Sequence, residues 1–421
     1  MIWLFRIRIR SFLRNSVWFP PLIGMMASIP IHRLVRSIDL SRGWYAPVSV
    51  EGTRTLLTTF SASMFTFFVF VFSILLLSVQ LASAQLTPRI IVLFYRNPVL
   101  KFSLTVFVFT FSFTLAVLFR LADQVPLMSL FIAMYSSMAC IGIFLYMIDH
   151  VGKSLRPISL MNLIGNHGQK VILEVYPHPF AETENAEAKA PNVLEQVAFR
   201  TVETRRTGVI VEIDVRGITE LARRNNCLIE FIPQVGDFIT GGDPLFKLYH
   251  GGENITDRQL QRAVAIEQER TMQQDPGFAF RIIVDIAAKA LSRAINDPTT
   301  GVLALDQIQR LLRVVARQQL NTGQVFDKTG QLRLIYRTPN WENFVNLALT
   351  EIRHYGNDSI QIVRRLRALL ENLINIVPTQ RAVALRAELE ILNRSIEHNF
   401  YHPEDRANAA FADSLGVGGS R

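Results

Sequence analysis

The chain of 421 residues contains only two cysteines and none of the common nucleotide-binding or hydrolase motifs. Its two cysteines, Cys140 and Cys227, form no CxxC motif, so neither a disulfide framework nor a thiolate metal site is expected. No P-loop, GxGxxG, GxSxG or HExxH sequence occurs. His398 and His402 have the spacing of two metal ligands, but Pro403 marks a helix end there. We therefore expect no metal and no cofactor.

Charged residues are missing from three long, mainly apolar stretches, which are 55–88, 102–119 and 124–148. Such stretches, at roughly 18 residues or more, are typical of membrane-spanning helices. An apolar run that begins near residue 16 contains three prolines. We interpret it as a first span that is retained, because no small-residue cleavage site follows it. The sequence therefore predicts four transmembrane helices, at about 16–36, 56–86, 102–120 and 126–148.

Basic residues in the short loops predict the orientation of these helices. With the N-terminus inside, ten Lys and Arg residues lie in inner segments and five in outer ones. This distribution places both termini in the cytoplasm. The net charge of +9 then reflects topology and attraction to anionic headgroups. No basic patch is interleaved with aromatic residues, so the expected partner is the lipid bilayer and not nucleic acid.

The composition changes after Leu155 to that of a cytosolic region. The segment KVILEVY (170–176) predicts a strand, and VGDFITGGDPL (235–245) predicts two tight turns between short strands. The second segment resembles barrel-sandwich domains that carry biotin or lipoate, but the modifiable lysine is absent, so a structural or interface role is expected. We predict a transmembrane domain, a β-rich domain, a mainly helical domain and a disordered tail, at 1–155, 156–255, 256–410 and 411–421. The fold class is an α-helical membrane protein whose four N-terminal spans precede a cytosolic α+β domain, a small β-barrel-like element plus a helical bundle.

Polar residues recur every seven positions in the second span, at Thr59, Thr66, Ser73, Gln80 and Thr87. This spacing places them along one helix face. Small hydroxyl residues on one face are typical of a closely packed helix–helix seam. The same face also suits the polar lining of a water-filled path that several copies of the chain assemble. No span has an interior charged residue, so a proton relay or voltage sensor is not indicated.

A charged stripe leads up to the Asp-Pro sequence at 297–298 and ends with its aspartate. The members of the stripe are Arg281, Asp285, Lys289, Arg293 and Asp297. The first four stand at four-residue intervals on one predicted helix, which suits a solvated ladder of ion pairs or a groove for an anionic ligand. Asp297 and Asp275 each precede a proline and a helical pattern, so we interpret both as N-caps. A catalytic role for Asp275, Asp285 and Asp297 lacks a partner, because no His or Cys lies within 251–353. No catalytic residue is assigned.

Several long segments resemble one bacterial family. The block ERTMQQDPGFAFRIIVDIAAKALSRAINDPTTGVLALDQIQRLL (269–312), the element VGDFITGGDPL and the segment NWENFVNLALTEIRHYG (340–356) carry the resemblance. They are similar to the uncharacterised membrane proteins called domain of unknown function 2254. The resemblance implies an integral protein of the bacterial cytoplasmic (inner) membrane and supplies no activity.

Three functional hypotheses follow from these patterns. The first is a homo-oligomeric channel-like or transport assembly with a cytosolic regulatory domain. The alternative is a non-transporting scaffold or sensor that binds an anionic ligand or a protein partner through 281–297, and the sequence does not identify such a partner. The third is a membrane-bound enzyme, which the missing base, nucleophile and metal set disfavours.

Overall fold

The protein is described by a computed structural model that covers residues 13, 16–85, 97–154, 156–180 and 198–417. The chain divides into two compact units, one formed by Phe5–Ser159 and the other mainly by Leu160–Arg421. The elements of the first unit are α1 (Phe19–Arg42), β1 (Tyr45–Ala46), α2 (Val50–Gln85), α3 (Pro98–Phe119), β2 (Val125–Pro126) and α4 (Leu127–Ser154).

Three of these helices, α2, α3 and α4, are long and apolar enough to cross a membrane. The prediction of four spans is not confirmed. The predicted first span does form a helix, α1, but the stretch that was predicted to span contains His32, Arg33 and Arg36. These side chains, together with the internal Pro30, lower its hydropathy below that of a typical membrane span.

Helix α2 exceeds the thickness of a bilayer. Its 36 residues give a length of about 54 Å, whereas the hydrocarbon core of a membrane is about 30 Å thick. The excess requires that the helix tilts or projects beyond the membrane. Helix α3 starts at Pro98, where the side chain of Asn97 accepts a hydrogen bond from the Val99 amide at 3.0 Å.

Asp39 connects two helices of the first unit. Its side chain is fully buried and accepts hydrogen bonds from the amides of Met128 at 2.9 Å and Ser129 at 3.1 Å. It also accepts the Ser129 hydroxyl at 2.7 Å. Its carbonyl accepts the Trp44 amide at 3.0 Å. Asp39 therefore joins the end of α1 to the otherwise unpaired amides at the start of α4.

The second unit combines helices with two sheets. Its helices are α5 (Pro157–Val175, from Leu160 onward), α6 (Val215–Arg224), α7 (Asp257–Gln261), α8 (Pro276–Ala290), α9 (Pro298–Val315), α10 (Trp341–Tyr355), α11 (Ile360–Ile376), α12 (Thr379–Asn399) and α13 (Pro403–Ala409). Its strands are β3 (Arg200–Glu203), β4 (Gly208–Ile213), β5 (Ile229–Phe231), β6 (Phe238–Ile239), β7 (Pro244–Leu248), β8 (Val264–Glu267), β9 (Gln324–Phe326) and β10 (Leu332–Tyr336). The strand predicted at 170–176 is wrong, because that segment belongs mainly to α5.

The two sheets draw on both halves of the second unit. One has the strand order β3-β7-β5-β10-β9 and the other β6-β4-β8. Strand β10 lies parallel to β5, with Leu334 opposite Ile229, and the other pairs are antiparallel. A single apolar cluster, including Phe231, Phe246 and Leu334, fills the space between the sheets and α6. Strands from beyond residue 256 thus complete the β-rich region.

The C-terminal segment packs on α11 as far as residue 417. The Asp413 side chain accepts the amides of Leu415 and Gly416, and the Gln361 amide group donates to the Gly416 carbonyl at 2.6 Å. The sequence predicts a disordered tail from 411, whereas the structure shows these contacts up to residue 417. Residues 418–421 lie outside the described part of the chain.

Candidate functional site

The polar stripe of the second span lies on the outer face of α2. Thr59, Thr66, Ser73 and Gln80 are all exposed. Thr87, the fifth predicted member, lies outside the described residues. The structure therefore leaves the four described side chains accessible to whatever surrounds the first unit.

The buried side of α2 has a heptad pattern of its own. Leu57, Met64, Val71 and Ser78 are buried against the other helices of the first unit. Each polar residue follows one of these by two positions, which is about 200° around the helix axis. The polar stripe therefore points almost directly away from the rest of the unit.

The hydroxyl groups of the stripe bond to the backbone of their own helix. Thr59, Thr66 and Ser73 donate to the carbonyl four residues earlier, at 2.9, 3.0 and 2.9 Å. These bonds satisfy the donors and leave acceptor lone pairs on the outer surface. Gln80 differs, because its amide group forms no hydrogen bond within the described part of the chain.

Arg281, the first member of the charged stripe, is paired with two carboxylates. Its guanidinium donates to both oxygens of Glu351 on α10, in a bidentate arrangement, and to Asp285 at 2.7 Å. The hydrogen bonds with Glu351, and then those with Asp285, raise the pKa of Arg281 above its usual value. The pair with Glu351 joins α8 to α10. Because two carboxylates surround the Arg281 guanidinium, its attraction for an anionic ligand is reduced.

The remaining predicted ligand residues lie around the junction of α8 and α9. Lys289 lies in the last turn of α8, and Arg293 is exposed beyond it. Asp297 is the N-cap of α9, where its carboxylate accepts the Thr300 amide at 3.1 Å and the Thr300 hydroxyl at 2.5 Å. The interpretation of Asp297 as a cap is confirmed. Its role in ligand binding stays a prediction.

Asp275 caps α8 in the same way but is more deeply buried. Its carboxylate accepts the Phe278 amide at 3.1 Å and pairs with Arg270 at 2.5 Å. Burial raises the pKa of Asp275 above its usual value, although the hydrogen bond from Arg270 opposes this effect. Both Asp-Pro sequences are thus helix starts. Within the described residues, no group of three or more His, Cys, Asp or Glu side chains is arranged to hold a metal ion.

Sequence reasoning did not find Glu351 or the role of Asp39. Glu351 lies 70 residues from Arg281, and neither spacing nor composition indicates that pairing. Asp39 gave a weak signal, since it is the only acidic residue in the segment 16–50.

Comparison with known proteins gives the family. Residues 14–372 match the family model described as predicted membrane protein (DUF2254). The chain is 26% identical over 418 residues to an uncharacterised protein of Mycobacterium bovis and to one of Mycobacterium tuberculosis. Each match covers 95% of this chain and 80% of the relative. No solved structure matches the chain. Because the family model spans most of the chain, the protein belongs to the DUF2254 family of predicted membrane proteins.

Proposed function

We propose that the protein is a homo-oligomeric, channel-like assembly of the bacterial inner membrane, in which the α2 helices of several copies surround a shared polar path. Both termini lie in the cytoplasm, and the second unit is the cytosolic regulatory part. The observation that carries the proposal is the exposed stripe from Thr59 to Gln80, which lies opposite the buried face of α2.

The pattern between the polar positions supports association of α2 with another helix. Ala62, Val69 and Leu76 are exposed on the same face and alternate with the polar residues at intervals of three and four. This is the a and d spacing of a heptad repeat, which favours packing of one helix along another. Polar residues at a and apolar residues at d would then face the neighbouring copy.

The Gln80 amide favours a protein or water environment over lipid. A primary amide without a hydrogen-bond partner in an apolar medium costs roughly 2–7 kcal/mol. Lipid chains offer no partner, whereas a neighbouring copy or a water-filled path does. The hydroxyls at Thr66 and Ser73 tolerate either environment, because their donors are satisfied within α2.

The alternative is a non-transporting scaffold in which the same face forms a dry helix–helix seam. Anion binding through 281–297 has less support as its sensor function, because Glu351 and Asp285 already neutralise Arg281. A helix–helix seam excludes water from the polar stripe, whereas a polar path exposes the stripe to water. One set of variants therefore tests both alternatives.

The experiment labels single cysteines with a small charged thiol reagent in liposomes. The background lacks native thiols through Cys140→Ser and Cys227→Ala. If α2 lines a path, Thr66→Cys reacts, whereas Phe65→Cys, which is exposed but off the stripe, stays unreactive in lipid. Buried Val71→Cys is the second control.

A flux measurement completes the test. Thr66→Leu is expected to reduce ion flux without dissociating the oligomer, because an apolar constriction closes a pore by dewetting. Mass measurement of the native assembly gives the number of copies. An unreactive Thr66→Cys protein, together with a Thr66→Leu oligomer that dissociates, favours the seam and overturns the channel. A monomer overturns both.

A further inference from the structure

An open cavity of about 690 Å³ lies between α1 and α3 in the first unit. It shares no lining residue with α2, so it is independent of the polar stripe. Its walls are mostly apolar, and the largest apolar side chains are Met25, Ile29, Phe111, Leu115, Leu118 and Phe119. Several of them are exposed, Phe119 most of all. We call this cavity the α1–α3 groove.

His32 in the wall of the groove has polar atoms without partners. Its side chain is only 3% exposed, and neither ring nitrogen has a hydrogen-bond partner among the described residues. Its one ring contact is an edge-on packing against Phe113 at 5.7 Å. Buried polar groups in folded proteins are nearly always hydrogen-bonded, so two unbonded nitrogens in a cavity wall indicate a ligand with a polar group.

Two arginines supply positive charge to the groove. Arg33 and Arg120 both line it and are exposed, and no carboxylate pairs with either guanidinium in the described part of the chain. Arg120, Arg36 and Asp39 are the charged groups that interact electrostatically with His32. Asp39 contributes the single negative charge, and its oxygens are occupied by the start of α4.

The register of the two helices gives the spacing of the two arginines. A side chain at Gly24 would meet Thr105, and His32 contacts Phe113, so positions on α1 and α3 advance in step. Both contacts join positions that are 81 residues apart, so Arg33 lies level with Thr114, six residues or about 9 Å of helix axis before Arg120. From Arg120 to Phe111 the groove extends over nine residues of helix, about 14 Å at 1.5 Å per residue. One leaflet of membrane hydrocarbon is about 15 Å deep.

We infer that the α1–α3 groove binds a phospholipid with an anionic headgroup. The phosphate lies between Arg33 and Arg120, the His32 ring turns so that an N–H reaches a headgroup oxygen, and one acyl chain lies along the apolar walls. Guanidinium groups suit phosphate because they offer two parallel N–H donors. The apolar depth of the groove favours a lipid over a soluble phosphate, which leaves those walls uncovered.

The test uses the full-length protein in detergent and follows its thermal unfolding as lipid is added. Dioleoyl phosphatidylglycerol is the anionic probe, and phosphatidylcholine with the same chains and inorganic phosphate are the comparisons. A ligand that binds only the folded state raises the Tm as its concentration increases. We expect phosphatidylglycerol to raise the Tm and both comparison compounds to leave it unchanged.

Variants locate the effect within the groove. The double variant Arg33→Gln/Arg120→Gln should need at least about tenfold more phosphatidylglycerol for the same shift, the size expected from losing a charge-assisted hydrogen bond. Arg54→Gln is the matched control, since Arg54 is an exposed arginine of the same unit that does not line the groove. It should titrate like the unmodified protein.

Two further variants separate lipid binding from folding. Ala116→Phe fills the groove and should abolish the lipid-dependent shift. His32→Phe keeps an aromatic ring but removes both unbonded nitrogens, so it should raise the lipid-free Tm while weakening the response to phosphatidylglycerol. The inference is overturned if phosphatidylcholine or inorganic phosphate gives the same shift. It is also overturned if the double arginine variant titrates like the unmodified protein.

Discussion

The bond network of Asp39 gives the most direct test of how the first unit holds together. In Asp39→Ala, the amides of Met128 and Ser129 lose their acceptor at a fully buried position. Loss of an N-cap costs about 1 kcal/mol, and each buried donor left without a partner costs about 1–3 kcal/mol. The two effects overlap, so we expect the free energy of unfolding to fall by about 2–4 kcal/mol.

The measurement is unfolding of the purified protein in mixed micelles of mild detergent and sodium dodecyl sulfate, followed by circular dichroism. Asp39→Asn keeps one side-chain oxygen at the cap and should lose only about 1 kcal/mol. Asp123→Ala is the control, because Asp123 is exposed in the same unit and should change stability by less than about 0.5 kcal/mol. If Asp39→Ala is no less stable than Asp123→Ala, the network does not join α1 to α4.

Three other predictions test topology, capping and helix packing. A cysteine at Ala122 should react with a membrane-impermeant reagent on intact cells and one at Lys328 only after permeabilisation; the reverse result refutes the orientation. Asp297→Ala should lower the free energy of unfolding by about 1 kcal/mol and Asp297→Asn should be nearly neutral, as measured by thermal or denaturant unfolding. Gly24→Ala should destabilise by about 1–3 kcal/mol, because its new methyl group would lie 2.9 Å from the Thr105 carbonyl oxygen. Gly142→Ala, with open space at that position, should be neutral or stabilising, and equal effects of the two glycine variants contradict the close packing of α1 on α3.

Local signals predicted the helix starts correctly. Asp275 and Asp297 were both predicted as caps, because a capping carboxylate bonds to amides only three residues away. The Asp327 side chain also bonds within a few residues of itself, since its carboxylate accepts hydrogen bonds from the amides of Thr329 and Gln331. Hydrogen bonds between residues no more than four positions apart can therefore be predicted from one sequence.

The strand predicted at 170–176 is wrong, because seven residues are too few to distinguish a strand from a helix. The β-branched and other apolar residues of KVILEVY favour a strand when this segment is taken alone. Over the longer segment from Leu160, the buried positions Leu160, Ile164, Gly168 and Val171 recur at intervals of three and four, which is the helical period. Burial of this face in α5 outweighs the strand preference of the β-branched residues.

The surroundings of the site residues could not be predicted from the sequence, because they depend on packing between helices. A seven-residue period placed Thr66 and Ser73 on one face of a helix, but only packing decides whether that face points inward or outward. The charged stripe was visible in the sequence, whereas the partner of Arg281 is not, because Glu351 belongs to another helix. The unbonded nitrogens of His32 are likewise a property of its surroundings and not of its position along the chain.

The parallel pairing of β10 with β5 affects how the second unit is made. Ile229 of β5 lies opposite Leu334 of β10, so a ribosome must add about 105 residues, over roughly 5–20 s, before β5 gains β10 as its second neighbour. Until then β5 remains an unprotected sheet edge beside an apolar surface, which is a site where nascent chains pair with one another. Truncations that end before Tyr336 should therefore aggregate, even when all of β3 to β8 is present. For the same reason, any shortened form of the second unit that is made for expression has to include β10.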